Sequence, residues 1–347
     1  MKIKIAAENP LEFIAFKMNL VPTPLIETQI YFTVARIIMA AAELGIYEAI
    51  GKEKRSAEEI AKISNTHAHS TIQLLNALVG IGYIRYHENK YSISPKYQKW
   101  LLQESEANLI GKLRFQIMEW NYLNHLEEFV RTGKTLELHS TINSKEWEFY
   151  QQGMRDLSIN ASKEMAKKIP VPNGAEKMLD IGGSHGLYSI ELCKKYPALS
   201  STILELEGAV EHASKIAQRY DQSGRVKHKA GNALTDDLGE NQYDIVMINN
   251  VVHHFTNEQN IALAKKIARS LKPNGIYIIG EFLRNEKPGQ GGVMGAATSL
   301  YFSLTSSSGN WSESEMKSWQ NAAGLKPLKV LSAMTIPGWK MIIAEKK

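Results

Sequence analysis

A loop of small residues behind a carboxylate is the part of this sequence best suited to binding chemistry. The chain reads Asp-Ile-Gly-Gly-Ser-His-Gly from Asp180 to Gly186. Glycines such as Gly182 and Gly183 permit a sharp turn and let a ligand approach main-chain N–H groups. A second carboxylate, Glu205, ends the next apolar run, where it can accept hydrogen bonds from a ribose diol. The pattern predicts a site for a nucleoside-containing ligand.

The order of these residues distinguishes between two classes of nucleoside cofactor. The dinucleotide fingerprint is Gly-x-Gly-x-x-Gly with no acid before it. Here the glycines fall as Gly-Gly-x-x-Gly, and Asp180 precedes them. A carboxylate repels a pyrophosphate but attracts the ammonium and sulfonium groups of S-adenosylmethionine. The loop therefore favours S-adenosylmethionine over NAD.

Alternating strands and helices must position this loop. A helical pattern begins at a capping box, Thr256 to Gln259, and ends near Leu271. Strand–helix alternation predicts a parallel, doubly wound α/β sheet, whose ligands bind at the carboxyl ends of the strands. The predicted strands lie within residues 178–181, 201–206, 243–249 and 275–281.

The N-terminal third predicts a helical domain that ends in a hairpin. A capping box at Ser56 opens a short helix to Ile63, and a second helix runs towards Gly82. Two strand-like runs, residues 83–86 and 91–94, then flank a polar turn. Helix, turn, helix and hairpin form a winged-helix pattern.

A winged helix raises the hypothesis of DNA binding. A recognition helix presents cationic or amide side chains to bases and phosphates. Residues 63–84 contain neither Lys nor Arg, and the formal net charge of the chain is a mild +5. We therefore expect no nucleic-acid partner, and we interpret the winged helix as a dimerisation element.

The segment Leu25–Ala42 predicts a helix with apolar residues on every side. Such a helix needs burial on most of its surface, which a second copy of the chain would provide. Glu27, Arg36 and Glu43 argue against a membrane span. We expect a homodimer and no membrane partner.

Two further helices are predicted before the α/β region, at residues 109–130 and 144–168. In the second, Tyr150, Met154 and Ser158 recur every four residues and share one face.

With these elements in place, Asp180-Ile-Gly-Gly-Ser-His-Gly186 resembles the Asp-x-Gly-Gly-Gly-x-Gly loop of class I S-adenosylmethionine-dependent methyltransferases. A winged-helix domain before such a sheet is similar to the small-molecule O-methyltransferases of plants and of bacterial polyketide tailoring, enzymes of secondary metabolism. The resemblance implies a winged-helix dimerisation domain (1–105), pocket helices (106–170) and a Rossmann-like methyltransferase domain (171–347). It also implies S-adenosylmethionine as cofactor, S-adenosylhomocysteine as product, and no metal.

The resemblance also indicates a catalytic histidine. Residues 249–255 read Asn-Asn-Val-Val-His-His-Phe, where the family has Lys-x-x-Leu-His-Asp-Trp, and this match makes His253 the general base and Glu281 the residue that orients it. A phenol (pKa about 10) is mostly neutral at pH 7, whereas an imidazole (pKa about 6.5) can accept its proton. A structural His253, or His254 as the base, remains an alternative.

Other family positions map onto this sequence with departures. The resemblance assigns ten cofactor-binding residues: Met154, Ser158, Asp180, Gly182, Gly183, Glu205, Leu206, Asn232, Ala233 and Asn249. The substrate wall is expected from Trp120, Tyr122, Met154, Met294, Thr298, Tyr301 and Phe302. Asn249 replaces a lysine and Asn310 a second acid. Ser184 replaces a glycine, which a negative φ would permit.

The sequence thus predicts a homodimeric O-methyltransferase for an aromatic or polyketide-like hydroxyl. N- or C-methylation, or a rearrangement in the same fold, is the first alternative, and a winged-helix regulator that senses a small molecule is the second. The first residues alternate Lys and Ile without a signal-peptide pattern, so the expected location is the cytoplasm. The one cysteine, Cys193, is expected to be a buried apolar residue.

Overall fold

A computed structural model of the 347-residue chain describes residues 6–136, 138, 142–288, 290 and 292–347. For Gly292 and Met294 it describes the backbone alone. The chain divides into two compact units, Lys2–Met118 and Glu119–Lys347. The finer division at residues 105 and 170 stays a prediction.

The N-terminal unit has the predicted succession of helices and a hairpin. The Ser56 capping box is confirmed, since the Ser56 N–H donates to Glu59 Oε2 at 2.7 Å and the serine side chain accepts from the Glu59 N–H. The hairpin turns through Glu88 and Asn89, whose positive φ values of 51° and 60° suit a tight two-residue turn. The elements are α1 (Pro10–Lys17), α2 (Thr23–Glu43), α3 (Ile46–Ile50), α4 (Ala57–Ile63), α5 (Ala68–Gly80), β1 (Ile84–His87), β2 (Lys90–Ile93) and α6 (Pro95–Leu101).

Helix α2 covers the predicted apolar segment, with a π-helical stretch at Ile26–Ile30. Within one chain its burial is limited to the C-terminal end, where Met39, Ala41 and Ala42 are buried. The expected burial on most sides is therefore absent from the described single chain. By length and composition alone α2 could cross a membrane, but one such helix is weak evidence for a membrane protein.

The two helices after α6 differ from the prediction. In place of one helix over residues 109–130, the chain forms α7 (Ile110–Leu123) and α8 (Leu126–Thr132). The break is a short turn in which the His125 N–H donates to the Tyr122 carbonyl at 3.1 Å. Apolar spacing continues through such a turn, so periodicity cannot reveal it. The next helix, α9 (Ser144–Lys168), has the predicted bounds.

The C-terminal unit is built on a seven-stranded sheet of order β5-β4-β3-β6-β7-β9-β8. The first five of these pair in parallel, which confirms the predicted α/β fold, and the pairs β7–β9 and β8–β9 are antiparallel, which the sequence did not indicate. The elements are β3 (Lys177–Ile181), α10 (Leu187–Lys195), β4 (Ser200–Glu205), α11 (Glu207–Tyr220), β5 (Val226–Ala230), β6 (Tyr243–Asn249), α12 (Asn257–Ser270), β7 (Leu271–Phe282), α13 (Gly292–Thr305), α14 (Glu313–Ala322), β8 (Lys326–Ser332) and β9 (Trp339–Glu345).

Both faces of the central strands are buried, which explains their continuous apolar runs. On β6, Met247 packs into one core with helices α9 and α10, and Ile248 packs into the other with α12 and α14. Cys193 is buried in the first of these cores, as predicted. The central strands are thereby fixed on both sides, and the loops at their carboxyl ends are anchored to a rigid platform.

Candidate active site

A cavity of about 400 Å³ opens at the carboxyl ends of β3, β4 and β6. Its position agrees with the rule for ligand sites of doubly wound sheets. All ten residues that the sequence assigned to the cofactor line it: Met154, Ser158, Asp180, Gly182, Gly183, Glu205, Leu206, Asn232, Ala233 and Asn249. The fold thus brings the predicted set together from helix α9, from the carboxyl ends of β3, β4 and β6, and from the loops that follow β3, β4 and β5, while its role in binding stays a proposal.

The glycine loop between β3 and α10 is shaped by close approaches. A Cβ on Gly183 would lie 2.5 Å from Asp180 Cγ, so any side chain there would collide with that carboxyl group. Gly182 has a φ of 62°, in the left-handed region that glycine adopts without strain. The glycines therefore allow the backbone to fold directly over the buried acid.

Ser184 departs from the sequence expectation. Its φ is 51°, so the negative φ that would have made serine a simple substitute for glycine is not found. Three hydrogen bonds stabilise this conformation instead. The Ser184 N–H donates to Glu205 Oε2 at 3.0 Å, its carbonyl is 2.7 Å from His228 Nε2, and its hydroxyl donates to Gln151 Oε1.

Asp180 is the buried acid beneath the loop. Its Oδ2 accepts a hydrogen bond from the Ser189 hydroxyl at 2.7 Å, and Ser189 in turn accepts one from Ser201 at 2.8 Å. Among the described residues, Oδ1 has no hydrogen-bond partner. Burial raises the pKa of Asp180 to about 7, the Ser189 bond opposes this rise, and the charge of Glu205 adds to it. A cation that paired with Oδ1 would satisfy this carboxylate.

Glu205 ends β4 and faces the same cavity. Its Oε1 accepts from the Leu206 N–H at 2.9 Å, and its Oε2 accepts from Ser184. Burial raises its pKa, and the two N–H donors counteract part of that rise. A carboxylate has about four acceptor positions, so Glu205 retains capacity for hydroxyl donors of a ligand.

The charges of the cavity fit S-adenosylmethionine. Two of the described lining residues, Asp180 and Glu205, are carboxylates, and none of them is a lysine or arginine. A second buried acceptor without a partner among the described residues is Oδ1 of Asn249, a residue that also lines the cavity. Unpaired buried acceptors are costly without a donor, and the ammonium of the cofactor supplies N–H donors and a positive charge. A phosphate group would find neither a donor nor a positive charge at these two oxygens.

Because the Asp180 pKa lies near 7, cofactor binding should be linked to a proton. At a pH between the ordinary pKa of a free aspartate and 7, Asp180 is protonated in the folded protein and ionised in the unfolded chain. The contribution of Asp180 to the free energy of unfolding therefore falls as the pH rises through this range. A ligand ammonium requires the ionised form. Affinity for S-adenosylhomocysteine should therefore rise with pH up to about 7, with proton release on binding below that pH.

Calorimetry at pH 6 in buffers of different ionisation enthalpy measures that proton release directly. Asp180→Asn should lose both the release and much of the affinity, whereas Asp237→Asn, the same change at an exposed carboxylate, should lose neither. Binding with no proton release at pH 6 in the unmodified protein would contradict this assignment.

The predicted catalytic pair is assembled at the ends of β6 and β7. His253 lies in a short 3₁₀ turn, Val252–His254, and its Nδ1 is 2.8 Å from Glu281 Oε2. The other oxygen of Glu281 accepts from the Phe282 N–H at 2.9 Å. His253 is 2% exposed and Glu281 is fully buried. A carboxylate on Nδ1 places the histidine proton there and leaves Nε2 as the basic nitrogen.

The two adjacent histidines have different positions. His254 lines the large cavity, whereas His253 is not among its lining residues. The ring of Phe302 on α13 covers His253 at a centroid distance of 4.2 Å, the same as that between the two imidazoles. Of the two imidazoles, only that of His254 belongs to the described lining of the cavity in this conformation.

Asn310 stands near this pair. Its segment is bonded to the histidine turn, because Trp311 Nε1 donates to the Val252 carbonyl at 3.0 Å and Ser307 donates to the His254 carbonyl at 2.7 Å. The Asn310 side chain is buried, and neither of its polar atoms has a partner among the described residues. The residue that the resemblance aligned with a second acid is thus a buried neutral amide, and its correspondence to that acid stays a prediction.

The predicted substrate wall is only partly assembled. Met154 lines the large cavity, and Thr298 lines a neighbouring one of about 290 Å³. Tyr301 packs edge-on against Phe302 at 5.6 Å. Trp120 and Tyr122 are not among the described lining residues of either cavity, and the Met294 side chain lies outside the described residues.

Sequence reasoning missed several lining residues. Gln151 precedes Met154 and Ser158 at helical spacing, so the i, i+3, i+7 pattern of α9 could have revealed it. His185 follows Ser184 in the loop, and burial lowers its pKa to about 3, so it is neutral there. Ile336, from the loop between β8 and β9, carried no recognisable signal. Among the described residues no group of three or more His, Cys, Asp or Glu could hold a metal ion.

Comparison with known proteins places this geometry in context. A family model described as an O-methyltransferase domain matches residues 124–326, more than half of the chain. The 3-hydroxy-5-methyl-1-naphthoate 3-O-methyltransferase of Streptomyces sahachiroi is 22% identical over 88% of this chain and 90% of its own length. The L-tyrosine C(3)-methyltransferase of Streptomyces lavendulae is 30% identical over 57% of this chain and 54% of its own. The structure of human N-acetylserotonin methyltransferase with S-adenosylmethionine superposes with a TM-score of 0.83, 18% identity and 99% coverage of both chains.

Proposed function

The chain belongs to the O-methyltransferase family of S-adenosylmethionine-dependent enzymes, which methylate small molecules, and from this premise we propose that it methylates a hydroxyl of an aromatic or polyketide-like compound with His253 as general base. The observation that supports this proposal most is the bond between His253 Nδ1 and Glu281 Oε2 at 2.8 Å. A base oriented by a buried acid, next to a cavity suited to the cofactor, is the arrangement that proton abstraction from a hydroxyl needs.

Each residue of the proposed site has a separate role. Asp180 and Glu205 hold the ammonium and the ribose of the cofactor, which supplies an electrophilic methyl group when bound. His253 Nε2 accepts the proton of the substrate hydroxyl as its oxygen becomes the nucleophile. Glu281 holds the imidazole in one tautomer and stabilises the imidazolium that forms. Rotation of Phe302 away from the His253 ring opens the path from the substrate to Nε2.

Methylation at carbon or nitrogen is the second candidate. It is supported by the neutral Asn310 near the histidine turn, where the family has an acid, and by the similarity to a C(3)-methyltransferase of L-tyrosine. A neutral amine attacks through its free lone pair and loses a proton only after methyl transfer, so removal of His253 would have less effect on the rate of nitrogen methylation. Methylation of an aromatic carbon must still release the ring proton to a base.

A direct test of the proposed function combines the purified protein with methyl-labelled S-adenosylmethionine and a panel of phenols, naphthols, anilines and hydroxylated polyketides. Mass spectrometry of the products shows which atom carries the label. Label on oxygen of an aromatic hydroxyl supports the proposal. Turnover confined to carbon or nitrogen acceptors would replace it with the second candidate.

We also propose that the chain forms a homodimer through its N-terminal unit. The N-terminal half of helix α2 exposes large apolar side chains, including Leu25 at 61%, Ile30 at 51% and Phe32 at 50%. Helix α1 adds Leu11 at 79% and Phe13 at 62%. Contiguous apolar surface of this kind marks an interface.

Sedimentation velocity at micromolar concentration should show a dimer. Replacement of Phe32 and Ile30 together by glutamate should shift it towards monomer, because each charge would be buried in the interface. The exposed positions Lys52 and Lys54 provide control substitutions in the same unit. A wild-type monomer would overturn the proposal. Binding of the protein to lipid vesicles, released only by detergent, would instead assign α2 to a membrane.

A further inference from the structure

Gln151 is a buried amide whose hydrogen bonding is only half complete. It lies on α9, is 1% exposed, and lines the large cavity. Its Oε1 accepts the hydrogen of the Ser184 hydroxyl. Among the residues that the structure describes, none accepts a hydrogen bond from its Nε2. Buried amide groups are normally paired, so the two Nε2 hydrogens are expected to meet an acceptor on a bound ligand.

The position of this amide indicates which part of the ligand it meets. Gln151 is bonded to Ser184, and the N–H of Ser184 is bonded to Glu205 Oε2 at 3.0 Å. Gln151 and Glu205 therefore flank the same loop residue, and both face the cavity. A carboxylate at Glu205 only accepts hydrogen bonds, while the free hydrogens of the Gln151 amide only donate. A hydroxyl pair, which donates and accepts at each oxygen, complements both groups.

We propose that Gln151 donates a hydrogen bond from Nε2 to a ribose hydroxyl of the cofactor, beside the carboxylate of Glu205. This inference rests on the proposed placement of the ribose at Glu205. It adds to the site a donor that the cofactor motif does not contain. The ribose diol would then contact both an acceptor, Glu205, and a donor, Gln151. Loss of this donor should weaken cofactor binding without changing the chemistry at the methyl group.

Ser184 is then a positioning residue for this contact. With Oε1 engaged by the serine hydroxyl, the amide group of Gln151 is held in one orientation and its Nε2 hydrogens stay free for a ligand. A glycine at position 184 would adopt the φ of 51° with less strain, but it would leave the amide free to rotate. The need to orient Gln151 explains why a serine is compatible with a position that favours glycine.

The test is calorimetric binding of S-adenosylhomocysteine and of its 2′-deoxy and 3′-deoxy analogues. Gln151→Met preserves length and removes both amide functions. It should raise the Kd for S-adenosylhomocysteine about 3- to 10-fold, the usual range for one hydrogen bond. The wild type should bind S-adenosylhomocysteine more tightly than either deoxy analogue. In Gln151→Met, the difference in Kd should disappear for one of the two analogues and remain for the other. With a methyl acceptor in hand, KM for the cofactor should rise while kcat is retained.

The matched control is Gln152→Met, the same change one residue along α9 at a position that does not line the cavity. It should bind all three ligands as the wild type does. Unchanged binding in Gln151→Met would overturn the inference. An equal loss for all three ligands would overturn it too, since the amide would then act only by supporting the loop.

Two further variants keep the result interpretable. If Gln151→Met does not fold, Ser184→Ala is the variant to measure. It removes the hydroxyl that orients the Gln151 amide, so the difference in Kd between S-adenosylhomocysteine and the same deoxy analogue should become smaller. Glu205→Ala separates the two proposals. If Glu205→Ala no longer binds S-adenosylhomocysteine more tightly than the deoxy analogues but Gln151→Met still does, only this inference is removed. If Glu205→Ala keeps the full difference in affinity, the placement of the ribose itself is removed.

Discussion

His253→Ala should lower the methylation rate by about 10²- to 10⁴-fold at saturating cofactor, the usual contribution of a general base. The substrate proton then has no acceptor held in place, whereas the residues at the cofactor cavity are untouched. The affinity for S-adenosylhomocysteine should remain within a small factor of the wild type. Initial rates with labelled S-adenosylmethionine, together with calorimetric binding, measure the two quantities separately.

His254→Ala is the matched control, since the two imidazoles are adjacent and His254 is the one that lines the cavity. A larger loss in His254→Ala than in His253→Ala would assign the base to His254. Glu281→Gln should act through His253, so the double variant should lose much less than the product of the single losses. Near wild-type turnover in His253→Ala would end the assignment and favour a nitrogen acceptor or a substrate that is already ionised.

Folding must be checked in these variants, because Glu281 is fully buried. Removal of its partner leaves a buried carboxylate unpaired, which can cost about 3–5 kcal/mol of stability. His253→Gln retains a donor to Glu281 but has no basic nitrogen. It should therefore fold at least as well as the alanine variant and still turn over slowly, and thermal unfolding of both variants verifies this order.

Glu205→Ala should weaken binding of S-adenosylmethionine by about 1.5–3 kcal/mol, the size expected for hydrogen bonds to a charged group. This corresponds to about a 10- to 150-fold rise in Kd. Two effects contribute, because the carboxylate is expected to bind the ribose and it already accepts the Ser184 N–H at 3.0 Å. Calorimetric titration with S-adenosylhomocysteine, which does not react, gives the difference.

Glu207→Ala is the control for this experiment, since Glu207 is exposed in the first turn of α11. It should leave the Kd unchanged. The unmodified protein should show no comparable affinity for NAD. Equal affinities for NAD and S-adenosylhomocysteine, or an unaltered Kd in Glu205→Ala, would refute the placement of the ribose.

The sequence by itself determined many of the elements and their order, although not the break between α7 and α8 or the strands β8 and β9. Capping boxes at Ser56 and Thr256 are local, because an N-cap and a residue three positions later bond to each other's backbone, and both were found. The continuous apolar runs of β3 and β6 identified strands buried on both faces. The gathering in one cavity of the ten residues assigned to the cofactor was likewise implied by a loop motif and by strand ends, which parallel pairing brings to one edge.

Contacts between segments distant in the chain were decided by the tertiary structure alone. The left-handed Ser184 is stabilised by Gln151, Glu205 and His228, which come from three different elements, so no local rule could predict its φ. The antiparallel β8 and β9 required partners supplied by β7. The ring contact between His253 and Phe302, at a centroid distance of 4.2 Å, joins residues about 50 positions apart in the chain. Sequence patterns record local periodicity and capping, whereas these features arise from packing between elements that only the folded chain brings into contact.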